Sequence, residues 1–109
     1  MTIITHFMKL FRGYRVYQAT IDLTECKYLM ELHERIKTGL YLDDGYGRNM
    51  DAFWDEINRN IKCIFITVKG SKTVSKDLRE TVEKMHKILE RNKQSWAHSD
   101  IPFDYEFID

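Results

Sequence analysis

Strand-forming residues gather in three segments of the chain, each with its own pattern of apolar and polar positions. Residues 16–22 combine Val, Tyr, Ala, Thr and Ile, which favour a strand. Residues 61–69 are β-branched and largely apolar, which is typical of a well-buried strand. Residues 103–108 alternate apolar with acidic residues over most of their length, as an edge strand does. The pattern therefore predicts three strands.

Between these segments, apolar residues recur every three or four positions, which is the spacing of one face of an α-helix. The first predicted helix follows Thr24, a candidate N-cap, and ends near Gly39. The second follows Asn49, also a candidate N-cap, and the third runs from about Ser75 to about Asn92. The apolar positions of the three helices are, in chain order, Leu29, Leu32, Ile36 and Leu40; Met50, Phe53, Trp54, Ile57 and Ile61; and Val74, Leu78, Val82, Met85 and Leu89.

The order of these elements is strand, helix, helix, strand, helix, strand. Strands that are separated by helices need crossover connections, which produce parallel pairing with the helices packed on the sheet. The sequence therefore predicts an α/β fold with a small three-stranded parallel sheet covered by helices. A chain of 109 residues can bury one modest core, so we expect residues 1–109 to form a single domain.

The formal net charge of zero conceals an uneven distribution of charge along the chain. Residues 41–58 contain five acids and one base, whereas residues 62–93 contain nine Lys or Arg and four acids. A short acidic segment can present a local field to a cationic partner even in a neutral protein. The alternative is that solvated charges merely cluster there, and composition does not decide between the two.

The predicted second helix carries the residues of greatest interest. Asp51 and Asp55 are four residues apart, so their carboxylates share an outward face of the helix, away from its apolar stripe. Like charges at this spacing slightly destabilise an isolated helix, and a cationic partner would compensate, although Asp51 also interacts well with the helix dipole. Trp54 lies at the border of the stripe, where it either packs locally or serves as a partly exposed anchor.

Several kinds of catalytic site are excluded by what these residues lack. Acid–base catalysis needs two pKa values that are pushed apart, but nothing predicts burial of Asp51 or Asp55, and no His or Cys lies near them in the sequence. Gly45 and Gly47 lack the third Gly and the Lys-Ser/Thr of phosphate-binding loops. We therefore interpret Gly47 as a turn residue with positive φ.

Metal binding is not expected, because the four histidines are scattered and neither cysteine has a second ligand two to four residues away. His33, beside the apolar face of the first helix, is expected to be packed.

Cys26 and Cys63 fit reduced, buried thiols of an intracellular protein. No apolar stretch reaches the roughly 18 residues of a membrane span, and the first residues lack the features of a signal peptide. We expect a cytoplasmic protein.

The predicted third helix is basic, which raises the question of nucleic-acid contact. Its bases are interleaved with acids, and the pairs Glu80–Lys84 and Glu83–Lys87 have the four-residue spacing of mutually paired side chains. This pattern is typical of a solvated helix face with internal ion pairs. We therefore expect no direct binding of nucleic acid.

Residues 46–55 read Tyr-Gly-Arg-Asn-Met-Asp-Ala-Phe-Trp-Asp. With this segment, residues 29–57 resemble the barstar family, the intracellular inhibitors of barnase-like ribonucleases. The motif Tyr-Gly-x-Asn-hydrophobic-Asp-Ala-hydrophobic-Trp-Asp occupies residues 46–55 and is long and specific. The order of strands and helices in the rest of the chain agrees with the family as well. Further matching residues are Leu32, His33, Ile36, Lys37, Leu40 and Leu42.

The resemblance implies a binding surface on the second helix and its preceding loop, which in this family close the active site of the nuclease. Asp55 would be the principal mimic of an RNA phosphate, with Asp51 beside it, and Trp54 would support the helix at the rim. Residues that would let the chain approach closely are Gly47, Asn49 and Ala52. The full set of implied contact residues on this surface is Gly45, Tyr46, Gly47, Asn49, Asp51, Ala52, Trp54 and Asp55.

The resemblance also implies an acid on the third helix, for which Glu90 is the candidate, although Arg91 fits the alignment about as well. Two residues depart from the family pattern. Gly45 stands where the family has an aromatic residue against the enzyme, and Arg48 replaces an acid of the loop. These departures predict the same mode of binding to a different nuclease.

The implied function is that of an immunity protein (antitoxin), not an enzyme, with neither cofactor nor metal. Its partner would be one molecule of a cationic ribonuclease or nuclease toxin. The alternative is a barstar-like interaction module whose partner is not a nuclease. Residues 1–14 have no counterpart in the family and are interpreted as an N-terminal extension, whose order the sequence does not decide.

Overall fold

The computed structural model describes residues 17–60, 64–96 and 103–109. Its sheet has three parallel strands with β2 in the centre. The α/β fold with a three-stranded parallel sheet is therefore confirmed, and β3 is an edge strand as its alternation predicted. The strands are β1 (Tyr17–Asp22), β2 (Ile64–Lys69) and β3 (Phe103–Ile108).

The central strand is covered on both faces, as its apolar sequence predicted. Phe65 and Ile66 are neighbours in β2 and therefore point to opposite faces of the sheet, and each is at most 2% exposed. Parts of two predictions lie outside the described residues, namely Val16 of the first strand and residues 61–63 of the second. The predicted extension, residues 1–14, lies outside them too.

Three α-helices pack around this sheet: α1 (Leu29–Gly39), α2 (Met50–Asp55) and α3 (Arg79–Ser95). α1 packs against β1, whereas α3 packs against both β3 and α2. Single 3₁₀ turns at Ser71–Thr73 and Lys76–Leu78 connect β2 to α3. The predicted apolar stripes supply most of the core, whose fully buried members are Ile21, Leu23, Cys26, Leu32, Ile36, Phe53, Ile57, Ile66, Val68, Met85 and Leu89.

The start of α1 differs from the prediction. Thr24 does not cap this helix, because it lies in a tight turn in which the Cys26 amide donates to the Leu23 carbonyl at 3.0 Å. The helix begins only at Leu29, and its N-cap residue makes no side-chain capping bond. Leu29 is 52% exposed rather than buried, because it occupies the first turn, ahead of the part of α1 that faces the sheet.

The end of α1 agrees with the prediction but for a different reason. Gly39 is the last helical residue, and its φ is not in the left-handed region. A Cβ atom at this position would lie 2.4 Å from the Thr20 carbonyl oxygen of β1. Gly39 is therefore required by the close approach of helix and strand, and Tyr41 takes the left-handed conformation (φ 57°) instead.

α2 is short and does not continue as a regular helix. After Asp55 the chain forms a π-helical turn, Glu56–Asn60, in which a wider turn rotates the following side chains relative to α2. Phe53 and Ile57 are fully buried as predicted, whereas Ile61 lies outside the described residues. The predicted second helix therefore has the predicted buried face but an irregular second half.

Within the described residues, no helix is long and apolar enough to cross a membrane. Cys26 is a free, fully buried thiol, as expected, and burial raises its pKa. The second cysteine, Cys63, lies outside the described residues.

Candidate functional site

The loop 41–49 and α2 form one continuous surface, which we call the acidic edge. Asn49 joins the two parts as the N-cap of α2, as predicted, because its Oδ1 accepts a hydrogen bond from the Ala52 amide at 2.7 Å. Its Nδ2 donates to the Gly47 carbonyl at 3.2 Å. The single side chain of Asn49 therefore fixes both the start of the helix and the last turn of the loop.

The prediction of a positive φ at Gly47 is wrong. Gly47 is not in the left-handed region, and the neighbouring Arg48 adopts it instead, with φ of 53°. A Cβ atom on Gly47 would lie 3.0 Å from the Cβ of Ala52, which is closer than most such contacts and would require Ala52 to shift by a few tenths of an ångström. Gly47 therefore lets the loop lie directly against the first turn of α2 without displacing Ala52.

Arg48 adopts the left-handed conformation, which costs a non-glycine residue about 1 kcal/mol, and two contacts hold its guanidinium in place. Its guanidinium forms an ion pair with Glu34 on α1 and donates to the Tyr46 carbonyl at 3.0 Å. The positive charge in the acidic edge is thus paired within the protein. It ties the loop to α1 and presents little free charge to a partner.

A buried pair anchors the loop from below. Tyr46 is 3% exposed and its hydroxyl lies 2.8 Å from Nδ1 of His33, which is 2% exposed. Burial and, to a smaller extent, the charge of Glu56 raise the pKa of Tyr46. Burial and, to a smaller extent, the charge of Arg48 lower the pKa of His33. The expectation that His33 is packed is confirmed. Tyr46, expected among the contact residues, places its side chain in the core beneath the loop.

The outward side of the acidic edge carries the predicted acids. Asp51 and Asp55 are both exposed, and Trp54 between them is partly buried. At the other end of the loop, Gly45 is exposed and its amide donates to Oδ1 of Asp43 at 2.9 Å. The structure thus places two carboxylates and one aromatic ring of the implied contact residues on a single short helix above a buried support.

A groove of about 360 Å³ separates α2 from α3. On the α2 side it is lined by Met50, Asp51 and Trp54. The α3 side consists of Ile88 and of three cationic residues that we call the basic wall, namely Lys84, Lys87 and Arg91. Sequence reasoning missed this wall, although the spacing 84, 87, 88 and 91 marks a single helix face.

The predicted ion pairs on α3 are not formed. Within the described residues, no ion pair joins Glu80 to Lys84 or Glu83 to Lys87. Such exposed pairs contribute only about 0.3–0.5 kcal/mol each, which is too little to hold long side chains in one orientation. Both lysines line the groove instead, so the basic helix face is less neutral than its composition indicated.

Glu90, the acid expected on the third helix, lies on a different side of α3. It accepts hydrogen bonds from the Tyr105 hydroxyl of β3 and from Gln94 at 2.9 Å, and these bonds lower its pKa, the one from Tyr105 most. Arg91 is the residue that lines the groove beside α2. Of the two alternatives at this place, the structure therefore brings Arg91 and not Glu90 next to the acidic edge.

Within the described residues, no group of three or more His, Cys, Asp or Glu has the geometry of a metal site.

In comparisons with known proteins, the family model described as Barstar (barnase inhibitor) matches residues 16–108. The match extends from the first strand to the last and is not limited to the motif of residues 46–55. No curated protein matches the chain.

Proposed function

The chain belongs to the barstar family, and we propose that it inhibits a ribonuclease as an immunity protein (antitoxin). In this proposal the acidic edge occludes the active site of one cognate nuclease molecule. The observation that carries it is the pair of exposed carboxylates, Asp51 and Asp55, on a helix whose start is fixed by the Asn49 cap.

The proposed mechanism is imitation of the RNA backbone. A ribonuclease cleft must be cationic because it holds phosphates, so carboxylates on a protruding helix can occupy the phosphate positions and pair with the Arg, Lys or His of the enzyme. Asp55 is the principal phosphate mimic, with Asp51 beside it. Trp54, partly buried at the rim of the groove, supports the helix and is the aromatic anchor.

The remaining residues of the site act by preparing the loop before it binds. Gly45, Gly47 and Ala52 leave the backbone accessible, and Tyr46 holds the loop through its buried bond to His33. Binding orders less of a chain that is already fixed, so the entropy cost of association falls. Glu90, hydrogen-bonded to Tyr105 on another side of α3, is at most a contact at the periphery.

The members of the barstar family are inhibitors rather than enzymes, and we propose the same for this chain, without cofactor or metal. The carboxylates of Asp51 and Asp55 are exposed to water, whereas acid–base catalysis uses environments that separate two pKa values. We further propose that the chain is a single domain, acts in the cytoplasm and binds no nucleic acid directly.

A partner that is not a nuclease is the second candidate. It is favoured by Gly45, because this exposed residue offers no aromatic side chain where the family presents one to the enzyme. Without that contact, the acidic edge has lost part of its fit to barnase-like clefts.

Capture followed by an RNA-cleavage assay separates the two candidates. The chain is immobilised and used to capture its partner from a lysate of the source organism, and the captured protein is assayed on RNA with and without added inhibitor. We expect a ribonuclease that is inhibited stoichiometrically, less strongly at high salt because charges dominate the contact. A partner without nuclease activity would favour the second candidate.

A further inference from the structure

The groove between α2 and α3 joins a positive and an apolar surface. The basic wall contributes three cations, against which Asp51 is the one acid in the lining. Met50, Trp54 and Ile88 supply the apolar part. A volume of about 360 Å³ lies at the lower end of the range for ligand pockets, which suits one or two amino-acid side chains rather than a large ligand.

The cations of the basic wall lack counterions in the part of the chain that the structure describes. No carboxylate there lies within ion-pairing distance of Lys84, Lys87 or Arg91. Elsewhere among the described residues, five cations do have an acidic partner. These pairs are Arg35–Glu31, Lys37–Asp44, Arg48–Glu34, Lys72–Asp109 and Lys93–Asp104.

The groove is continuous with the acidic edge, because Asp51 and Trp54 belong to both. A protein that docks on α2 deeply enough to bury Trp54 therefore also covers the groove and removes water from the basic wall. Cations that are desolvated without a counterion oppose binding. A partner that binds well must therefore bring negative charge to this place.

From these observations, and resting on the function proposed above, we infer that the partner ribonuclease carries an acidic segment beside its cationic cleft. A carboxylate of this segment enters the groove and pairs with Lys87 and Arg91, and an adjacent apolar side chain packs on Trp54. The interface then has two signs of charge, negative on the acidic edge and positive on the basic wall. A nuclease whose rim is cationic at this place is repelled, which provides selection among targets.

A carboxylate is favoured over an RNA phosphate as the occupant. Asp51 lines the groove and repels either anion to a similar extent, because an internucleotide phosphate carries one negative charge as a carboxylate does, so the preference depends on how each group reaches the groove. The segment arrives on the same protein that engages α2, so its binding is effectively intramolecular. Direct RNA binding is an outcome that the test must distinguish.

Charge reversal on the basic wall tests the inference with the captured ribonuclease as the probe. The affinities of Lys87→Glu and Arg91→Glu are measured beside those of Asp55→Ala and of a matched control, Lys76→Glu, an exposed cation outside the groove lining. We expect each wall reversal to weaken binding about tenfold or more, and Lys87→Gln to weaken it less. The control should stay within about twofold of the parent. Thermal unfolding of each variant verifies that it is folded.

Reversing an acid of the ribonuclease to Lys should restore the affinity of Lys87→Glu, which identifies the partner's segment. If Asp55→Ala weakens binding while both wall reversals leave it unchanged or tighten it, the acidic segment does not exist, yet the proposed function stands. If Asp55→Ala binds like the parent, the proposed mode of inhibition through Asp55 of the acidic edge fails, whatever the result at the basic wall. Titration of a labelled 12-nucleotide single-stranded RNA supplies the other contrary result, namely binding by the free protein that Lys87→Glu abolishes.

Discussion

The two helices that line the groove, α2 and α3, differ in what holds them in place. α2 has six residues, too few for a stable helix on its own, and it depends on the Asn49 cap and on the loop beneath it. α3 has seventeen residues and an apolar stripe that specifies its position without such devices. α2 is held in place by individual side-chain bonds, whereas α3 is held by its repeated pattern of apolar residues.

The acidic edge and the basic wall also differ in their relation to the barstar family. The acidic edge carries the family motif and, in our proposal, the general mode of inhibition. The basic wall places Arg91 beside α2 and carries, in our inference, the choice of target. On this basis, α2 keeps the mode of binding of the family, whereas α3 determines which target is bound. Substitutions near each helix separate the two contributions.

The largest effect on stability is expected at the buried pair of Tyr46 and His33, beneath the loop that precedes α2. Tyr46→Phe removes the hydroxyl that bonds to the buried His33, and an unsatisfied buried polar group costs about 1–3 kcal/mol. For a chain of this size this lowers Tm by roughly 4 °C or more. Tyr41→Phe is the matched control, because Tyr41 is 86% exposed and its loss of a hydroxyl should leave Tm nearly unchanged. Equal Tm values for the two variants would show that the buried pair does not support the loop.

The same pair predicts a dependence of stability on pH. Burial lowers the pKa of His33 in the folded state below its ordinary value of about 6.5, so the unfolded chain binds a proton at a higher pH than the folded chain does. The free energy of unfolding should therefore fall as pH drops below about 6.5. Chemical denaturation between pH 7.5 and 5.5 measures the slope, and His33→Gln should reduce it. A slope unaffected by that substitution would assign the pH dependence to other groups.

A smaller effect is expected at Arg48, where two substitutions separate strain from contact. Both Arg48→Ala and Arg48→Gly lose the ion pair with Glu34, but only Gly relieves the left-handed φ of 53°. The Gly variant should be the more stable of the two by about 1 kcal/mol. Equal free energies of unfolding would mean that the backbone relaxes when the side chain is removed.

The smallest effect on stability is expected at the basic wall of α3. Lys87 has no ion-pair partner among the described residues, so Lys87→Ala should change the free energy of unfolding by less than about 0.5 kcal/mol. Denaturant titration of the parent and the variant measures this difference. A loss comparable to that of Tyr46→Phe would mean that the basic wall serves the fold rather than a partner.

Sequence patterns predicted the elements that are repetitive and buried. The three strands and the apolar faces of α1, α2 and α3 follow from the burial of one side of each element, which the spacing of residues such as Leu32 and Ile36 records directly. The start of α1 could not be predicted in this way. Thr24 has the chemistry of a cap, but its amide is engaged by the Asp22 carboxylate at 2.9 Å in a local turn, and this competing bond is invisible in a residue pattern.

The site was predicted to the extent that its chemistry is local. Asn49 and Asp51 could be assigned from a motif and a helical wheel, but the left-handed residue of the loop could not. Conformational preference assigns it to Gly47, whereas contacts with α1, a distant part of the chain, place it at Arg48. The choice between Glu90 and Arg91 depends on the rotation of α3 against α2, and one residue changes that rotation by about 100°.

Inhibition of the captured ribonuclease by Asp55→Ala decides whether the acidic edge blocks the active site as proposed. RNA cleavage is titrated with the parent, with this variant and with Asp77→Ala, a matched exposed aspartate outside the acidic edge. We predict complete inhibition at one equivalent of the parent or of Asp77→Ala, and an affinity about 30-fold or more weaker for Asp55→Ala, with unchanged thermal unfolding. Inhibition by Asp55→Ala that equals that of the parent would contradict the account.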